Sequence, residues 1–230
     1  MKNLALALAL TGSLPALADG PQFSNLSKSD VENITREFGA NFTHTVVAAP
    51  ETDGLWGVEV GVVAGRTGAP EFSDVVEASG GDGADFKNLY HAGAIARVHL
   101  PFDFFAELNL LPEQELSDVW IENRSIGLGW NLGGFFGLPV DVAIGAGRAN
   151  TDVSFKQTTP IDADIKLATT TTNYWVGVSK SFLFFTPYAK VGTSTIDGDL
   201  RATGQIFGYT ASTKEDVSLS GKYLALGANL

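Results

Sequence analysis

Between residues 171 and 195, TTTNYWVGVSKSFLFFTPYAKVGTS, two runs of strictly alternating side chains lie a few residues apart. In the first, Tyr174, Val176 and Val178 share a face against Asn173, Gly177 and Ser179. In the second, Pro187, Ala189 and Val191 share a face against Tyr188, Lys190, Gly192 and Ser194. Side chains along a strand alternate faces, so each run predicts a strand with one apolar side and one small or polar side. A soluble sandwich shows the same alternation. The polar side separates the two readings: glycine and serine beside Lys190 suit a wet interior, and aromatics gather near the strand ends. Transmembrane barrels have that pattern, with lipid outside, water inside and aromatic girdles at the interfaces.

The unit recurs. Leu55–Arg66 sets Trp56, Val58, Val60, Val62 and Ala64 against Gly57, Glu59, Gly61 and Gly65. A charged Glu59 is costly toward lipid, which turns its face inward. Over Tyr90–Leu100 the outward set is Tyr90, Ala92, Ala94, Ala96, Val98 and Leu100, with His91, Gly93, Arg97 and His99 inward. After a tight turn at Pro101, Phe104, Ala106, Leu108 and Leu110 face out and Asp103, Glu107 and Asn109 face in. Ser117–Leu132 carries Ile126, Leu128, Trp130 and Leu132 outward. Gly133–Leu138 turns, and Val140, Val142, Ile144 and Ala146 then face out against Asp141. A last run aligns Leu224, Leu226, Ala228 and Leu230, and NFTHTVVA at 41–48 is a further candidate strand.

Long connections are expected at 67–88, 149–170 and 196–215, and short ones at 101–102, 133–138 and 182–185. Bacterial barrels have long outer loops and short periplasmic turns. Counting from Leu55, the expected fold is an all-β antiparallel transmembrane barrel of about eight strands, with 41–48 as a non-spanning piece.

The N-terminus reads differently. Lys2, the Ala/Leu core Leu4–Leu10 and Ala16-Leu17-Ala18 predict a secretory leader over 1–18, cleaved before Asp19. Residues 19–40 form a helix-bearing linker to a barrel domain over 41–230. Within the linker, Ser29-Asp30-Val31-Glu32 has the form of a capping box. Val31, Ile34 and Phe38 follow at helical spacing, which predicts a helix over about 29–37 with Gly39 as its stop. The helix carries little basic charge for anionic headgroups, so the expectation is a cap on the periplasmic end, with a plug inside the barrel or a position on the membrane surface as the alternatives.

Composition narrows the function classes. The net charge of −11 argues against nucleic acid, whose binders cluster Lys and Arg. There are no cysteines, hence neither disulfides nor thiolate metal sites. Mean hydropathy is +0.10 and no long apolar run follows the leader, which excludes a helical membrane protein. Gly80-Gly81-Asp82-Gly83-Ala84-Asp85 matches the start of a calcium-binding repeat. That repeat works in stacked copies, so the expectation is a solvated acidic loop. His91 and His99 share a face roughly 27 Å apart at strand rise, too far to hold one metal.

No G-x-S-x-G, H-E-x-x-H or phosphate-binding glycine loop appears, and no catalytic residue, metal or cofactor is expected. A turn centred near Phe102 makes the numbers of facing partners sum to about 204. That register sets Arg97 opposite Glu107 as an inward ion pair, with His99 opposite Phe105.

PVDVAIGAGRA (139–149), VGVSKSFLFFTPYAKVG (176–192) and ANFTHTVVAAPETDGLWGVEVGV (40–62) resemble segments of uncharacterised Gram-negative outer-membrane barrel proteins. The resemblance implies a secreted precursor and a membrane barrel, and supplies no activity. It also implies a longer chain ending in a strand with a terminal aromatic, and about ten strands if this chain is incomplete. The function expected is a non-enzymatic outer-membrane barrel that binds lipid, anchors the envelope or displays loops. A narrow passive channel or transporter for small or amphipathic solutes is the alternative, and a lipid-modifying enzyme ranks below both. The expected partners are outer-membrane lipid, further copies in a homo-oligomer, and small solutes only if the lumen is open.

Overall fold

Strands that alternate apolar and small side chains pair readily with their neighbours in sequence, and here they assemble into one antiparallel sheet. The computed structural model describes residues 27–41, 56–78, 86–116, 119–157, 163–206 and 209–229. The leader, the Gly80–Asp85 motif and the candidate strand 41–48 beyond Asn41 lie outside the described residues. In chain order come α1 (Lys28–Asn41), β1 (Gly57–Gly68), α2 (Pro70–Ala78), β2 (Asn88–Leu100), a 3-10 turn (Pro101–Asp103), β3 (Phe104–Leu116) and β4 (Val119–Asn131). They are followed by α3 (Leu132–Phe136), β5 (Asp141–Gln157), β6 (Ala163–Ser179), β7 (Thr186–Ile206) and β8 (Tyr209–Asn229). The sheet has eight strands in the order β1 to β8, every pair antiparallel. Among the described residues β1 pairs only with β2, and β8 only with β7. No helix among them is long and apolar enough to cross a membrane.

The strands run further than their apolar stripes. β5 and β6 have 17 residues each, and β7 and β8 have 21. The stretches 149–170 and 196–215, expected as loops, are therefore mostly paired strand, leaving 158–162 and 207–208 between the described strands. Leu132, expected as the end of a strand, opens α3.

The reason is an inversion of polarity along the same strands. At the end carrying the turns 101–103, 132–140 and 180–185, the outer face is apolar: Ile126 and Leu128 on β4, Ile144 on β5, Tyr174 and Val176 on β6, and Leu224 and Leu226 on β8 are exposed. The inner face there is polar, with Arg97, His99, Glu107, Asn109, Asn173 and Lys190 buried. At the far end the arrangement reverses. Val119, Ile121, Val153, Phe155, Ile165 and Leu167 are buried inside, while Arg124, Asp152, Lys166, Asp197 and Arg201 are exposed outside.

The inner apolar half closes on two helices. Ile34 and Phe38 of α1 and Phe72 and Val76 of α2 join side chains of β2 to β6 in one core, with edge-on ring contacts Phe38–Phe72 at 5.3 Å and Phe72–Phe86 at 5.4 Å. α1 thus lies within the curl of the sheet at its far half, not across the turn end. It also runs four residues past its expected last residue, 37. Gly39 does not end it, because a Cβ at Gly39 would collide with Ile196 of β7: the glycine serves close packing. Thr171 Oγ1 donates to the Gly39 carbonyl at 3.0 Å. The N-terminal cap also sits two residues earlier than expected. Asp30 N–H donates to Ser27 Oγ at 3.2 Å, and Ser27 N–H donates to Asp30 Oδ2 at 2.8 Å. This is a reciprocal capping box, and the Ser27 bonds hold the Asp30 carboxyl below its usual range.

α2 has no cap of its own. Ala69 offers no side-chain acceptor and Pro70 no N–H, so the free donors are Glu71 and Phe72. Both donate to the Glu37 carboxylate of α1, at 2.8 and 2.9 Å. Removing this cap with Glu37→Ala is expected to cost about 1 kcal/mol in equilibrium unfolding. Burial pushes the Glu37 carboxyl up, against the opposing pull of the two backbone donors. A raised carboxyl pKa makes its contribution full below the unfolded value and lost as pH rises through the folded one. Stability of the native protein relative to Glu37→Gln should therefore decline as pH climbs through and just above the glutamate range. A flat difference would mean that Glu37 titrates as if exposed.

Candidate functional site

The chemistry-bearing residues gather on the inner face of the turn-end half. The hairpin β2–β3 places them first. Leu100 pairs with Phe104, and Arg97 with Glu107, the register expected from a turn about Phe102. Phe102 and Asp103 both take positive φ, 64° and 61°, the sense that hairpin turns require. Asp103, expected inward on a strand, is therefore a half-buried turn residue. Trp130 Nε1 donates to the Phe102 carbonyl at 3.1 Å, and its ring stacks on Phe104 at 5.3 Å. This ties the turn to β4.

Arg97 Nη2 and Nε both donate to Glu107 Oε2, at 3.0 and 3.2 Å, with side chains only 2% and 3% exposed. The guanidinium sits 4.9 Å over the Phe105 ring, where a desolvated cation gains from the ring's negative face. One residue pair toward the turn, His99 Nε2 lies 2.7 Å from Glu59 Oε1, whose side chain is 53% exposed. His99 is opposite Phe105. Lys190 is buried, its Nζ 4.8 Å over Tyr188 and 5.2 Å over Trp175. Asp141 accepts from Asn131 Nδ2 at 2.7 Å at the mouth. His91 lies higher, bonded to Thr67 Oγ1 at 3.1 Å. Of the expected inward residues, Arg97, Glu107, His99, Glu59 and Lys190 thus come near one level, while His91, Asp103 and Asp141 stand apart.

The inward glycines let the interior pack. Phe105, Trp175, Tyr223 and Tyr188 each fold over a glycine directly opposite on the next strand: Gly129, Gly145, Gly192 and Gly227. A Cβ at any of the four would meet the ring. The glycines do not widen the interior. They let aromatic rings lie flat against the wall, a known way of covering strand glycines. The pairings are visible only once register is known, so the sequence alone did not show them.

Several polar atoms inside meet no protein partner. The side-chain amides of Asn109 and Asn173 and Trp175 Nε1 are buried without a hydrogen bond. Buried polar groups need partners, so this level suits water or a polar solute rather than hydrocarbon. It offers hydrogen-bonding and charge, and among the described residues no group of three acidic, histidine or cysteine side chains is placed to hold a metal.

The chain belongs to the DUF6588 family, a family of unknown function. Its family model matches residues 1–230. No curated protein and no solved structure matches the chain. Membership of DUF6588 therefore brings no activity to the inner face.

On the outer face, Trp56, Val58, Val60, Tyr90, Phe104, Leu108, Ile144, Tyr174 and Val176 are exposed, and Trp130 and Val142 are half-buried. The turns add Phe102, Phe135, Phe136, Phe182, Leu183 and Phe184, with Leu183 fully exposed. Phe102 holds a left-handed conformation that disfavours bulky side chains by roughly 1–2 kcal/mol.

Proposed function

We propose that this chain is a non-enzymatic outer-membrane β-barrel. Residues 1–18 direct its export, and the edges of β1 and β8 meet within the membrane to close it. Its role is structural: the turn-end half sits in lipid, and the far half projects as a polar-coated cup stoppered by α1 and α2. One observation carries this reading, the reversal of inside and outside along single strands. A water-soluble cup keeps apolar residues inside along its whole length, and the turn-end half does the opposite, burying Arg97, Glu107 and Lys190 while exposing Val60, Ile126 and Leu128. About 9–11 tilted residues cross a bilayer, whereas β7 and β8 have 21; half of each strand is left to stand outside. Exposed aromatic turns suit the headgroup interface.

Closure follows from the same setting. An unpaired strand edge in hydrocarbon leaves its N–H and C=O groups unsatisfied, at several kcal/mol each. In lipid vesicles the amides of β1 and β8 are expected to exchange with deuterium as slowly as those of β4. Rapid exchange confined to those two edges would defeat closure.

A narrow passive channel is the second reading, favoured by the charged level of Arg97, Glu107 and Lys190. The aromatic rings beside it and the helices above it favour the structural one. Purified full-length protein in planar bilayers is expected to insert without conductance. Steady openings, with current dependent on the charge of Lys190, would replace the structural reading by the channel.

A further inference from the structure

An apolar trough of about 1130 Å³ runs across the outer face from β3 to β8, walled by Trp130, Ile144, Tyr174, Val176 and Val191, with Lys222 at its rim. Register explains its shape. One row across the sheet reads Leu128, Ala146, Tyr174, Thr193, Lys222. Ala146 and Thr193 are short between longer neighbours, and the chains directly below them, Ile144 and Val191, are exposed. Two cations stand where the apolar surface ends. Lys222 closes that row, and Arg148 lies two residues above Ala146 on the same face.

Arg148 and Lys222 are both exposed, and among the described residues neither makes a hydrogen bond or ion pair. Of the other cations on this face, Arg124 pairs with Glu122 at 2.8 Å and Arg201 with Asp199 at 2.7 Å, while Lys156 and Lys166 lie eight residues or more along their strands from the row of Ala146 and Tyr174. The rows holding Arg148 and Lys222 contain no carboxylate: the first reads Ile126, Arg148, Thr172, Thr195, Ser220. In a chain of net charge −11, a carboxylate-free rim with two free cations is a local reversal of sign. The two lie three strands apart, roughly 14 Å at the usual strand spacing, a gap that their long flexible side chains can close on one phosphate.

We propose that the trough binds a membrane lipid with an anionic phosphate headgroup, its acyl chain lying between Trp130 and Val191 and its phosphate held by Lys222 and Arg148. The inference rests on the membrane reading above and specifies the lipid class. The charge decides the class, since an apolar trough alone accepts any acyl chain.

Trp130 supplies the readout. The full-length protein is reconstituted in vesicles containing chain-brominated phosphatidylglycerol or chain-brominated phosphatidylcholine, and the quenching that disappears in Trp130→Phe is measured. Phosphatidylglycerol should be preferred roughly thirtyfold, as about 1 kcal/mol for each of two surface cations implies. Lys222→Gln with Arg148→Gln should bring the two lipids to parity. Inorganic phosphate at matched ionic strength should leave the preference unchanged. Equal quenching by both lipids in the native protein, or a preference that survives the double substitution, overturns the headgroup assignment alone. Loss of the preference to free phosphate overturns the lipid source. Absence of Trp130 quenching by either lipid overturns the membrane reading itself.

Discussion

Ile144→Arg is expected to lower the stability of the protein folded in a bilayer by about 2–4 kcal/mol, the cost of a lipid-facing arginine near the midplane. Ile144 is the central outward residue of the apolar stretch of β5, paired with Trp130 on one side and Val176 on the other. An arginine there has no carboxylate in its row. Val60→Arg is expected to behave alike, since Val60 on β1 is 80% exposed and its neighbours Val58 and Val62 are also exposed. The control lies on the same strand and face. Asp152→Arg, eight residues above Ile144 and outside the apolar zone, should stay within about 0.5 kcal/mol, as surface substitutions usually do. Guanidinium unfolding from vesicles measures all three. If the outer face met water, Ile144→Arg would be a surface change as mild as Asp152→Arg, and equal effects would end the membrane assignment.

The turn-end half was legible because each of its apolar stripes faces outward with a constant parity. Ile126, Leu128 and Trp130, or Tyr174, Val176 and Val178, are enough to set a strand and its register. The far half was written in the opposite parity, and so it read as loop. On β6 the even positions are apolar up to Tyr174, and below it the odd positions Leu167 and Ile165 are. On β5 Val142 and Ile144 give way to Val153 and Phe155; on β4 the even set gives way to Ile121 and Val119. The flip was present in the sequence at every strand from β4 to β8. It looked like the end of a pattern because polar outward residues, Thr170, Asp197 and Arg201 among them, replaced the stripe being followed.

The placement of α1 was harder to read. Its apolar stripe Val31, Ile34 and Phe38 predicts burial, but a partner only appears when the odd residues of β5 and β6 are recognised as a second, inner core. Glu37 reads as a solvated helix residue until α2 is brought to it with Ala69 and Pro70 unable to cap themselves. The aromatic–glycine pairs required register across three strand boundaries, and periodicity carries no such information. Arg97 and Glu107 were the opposite case: the turn was short, both stripes were clear, and counting from Phe102 was sufficient.

That pair carries the second large effect. Arg97→Ala is expected to destabilise the protein by roughly 3–5 kcal/mol, because it leaves Glu107 as an uncompensated buried charge. Both side chains are almost fully buried, and Glu107 Oε1 has no hydrogen bond of its own, so Oε2 carries the interaction with Arg97 Nε and Nη2. Glu107→Ala should also destabilise, by freeing Arg97 beside the buried Lys190. The double substitution removes both charges and should cost less than the sum of the singles. A coupling of at least about 1 kcal/mol is expected, above the range of exposed pairs. A pair in a broad, water-filled interior would be screened, and its two substitutions would add. The cycle therefore measures more than one ion pair. Strong coupling means a shielded interior packed by Phe105, Trp175 and Tyr188, as a non-conducting barrel requires; additive effects would mean that water reaches both groups, and would support the channel.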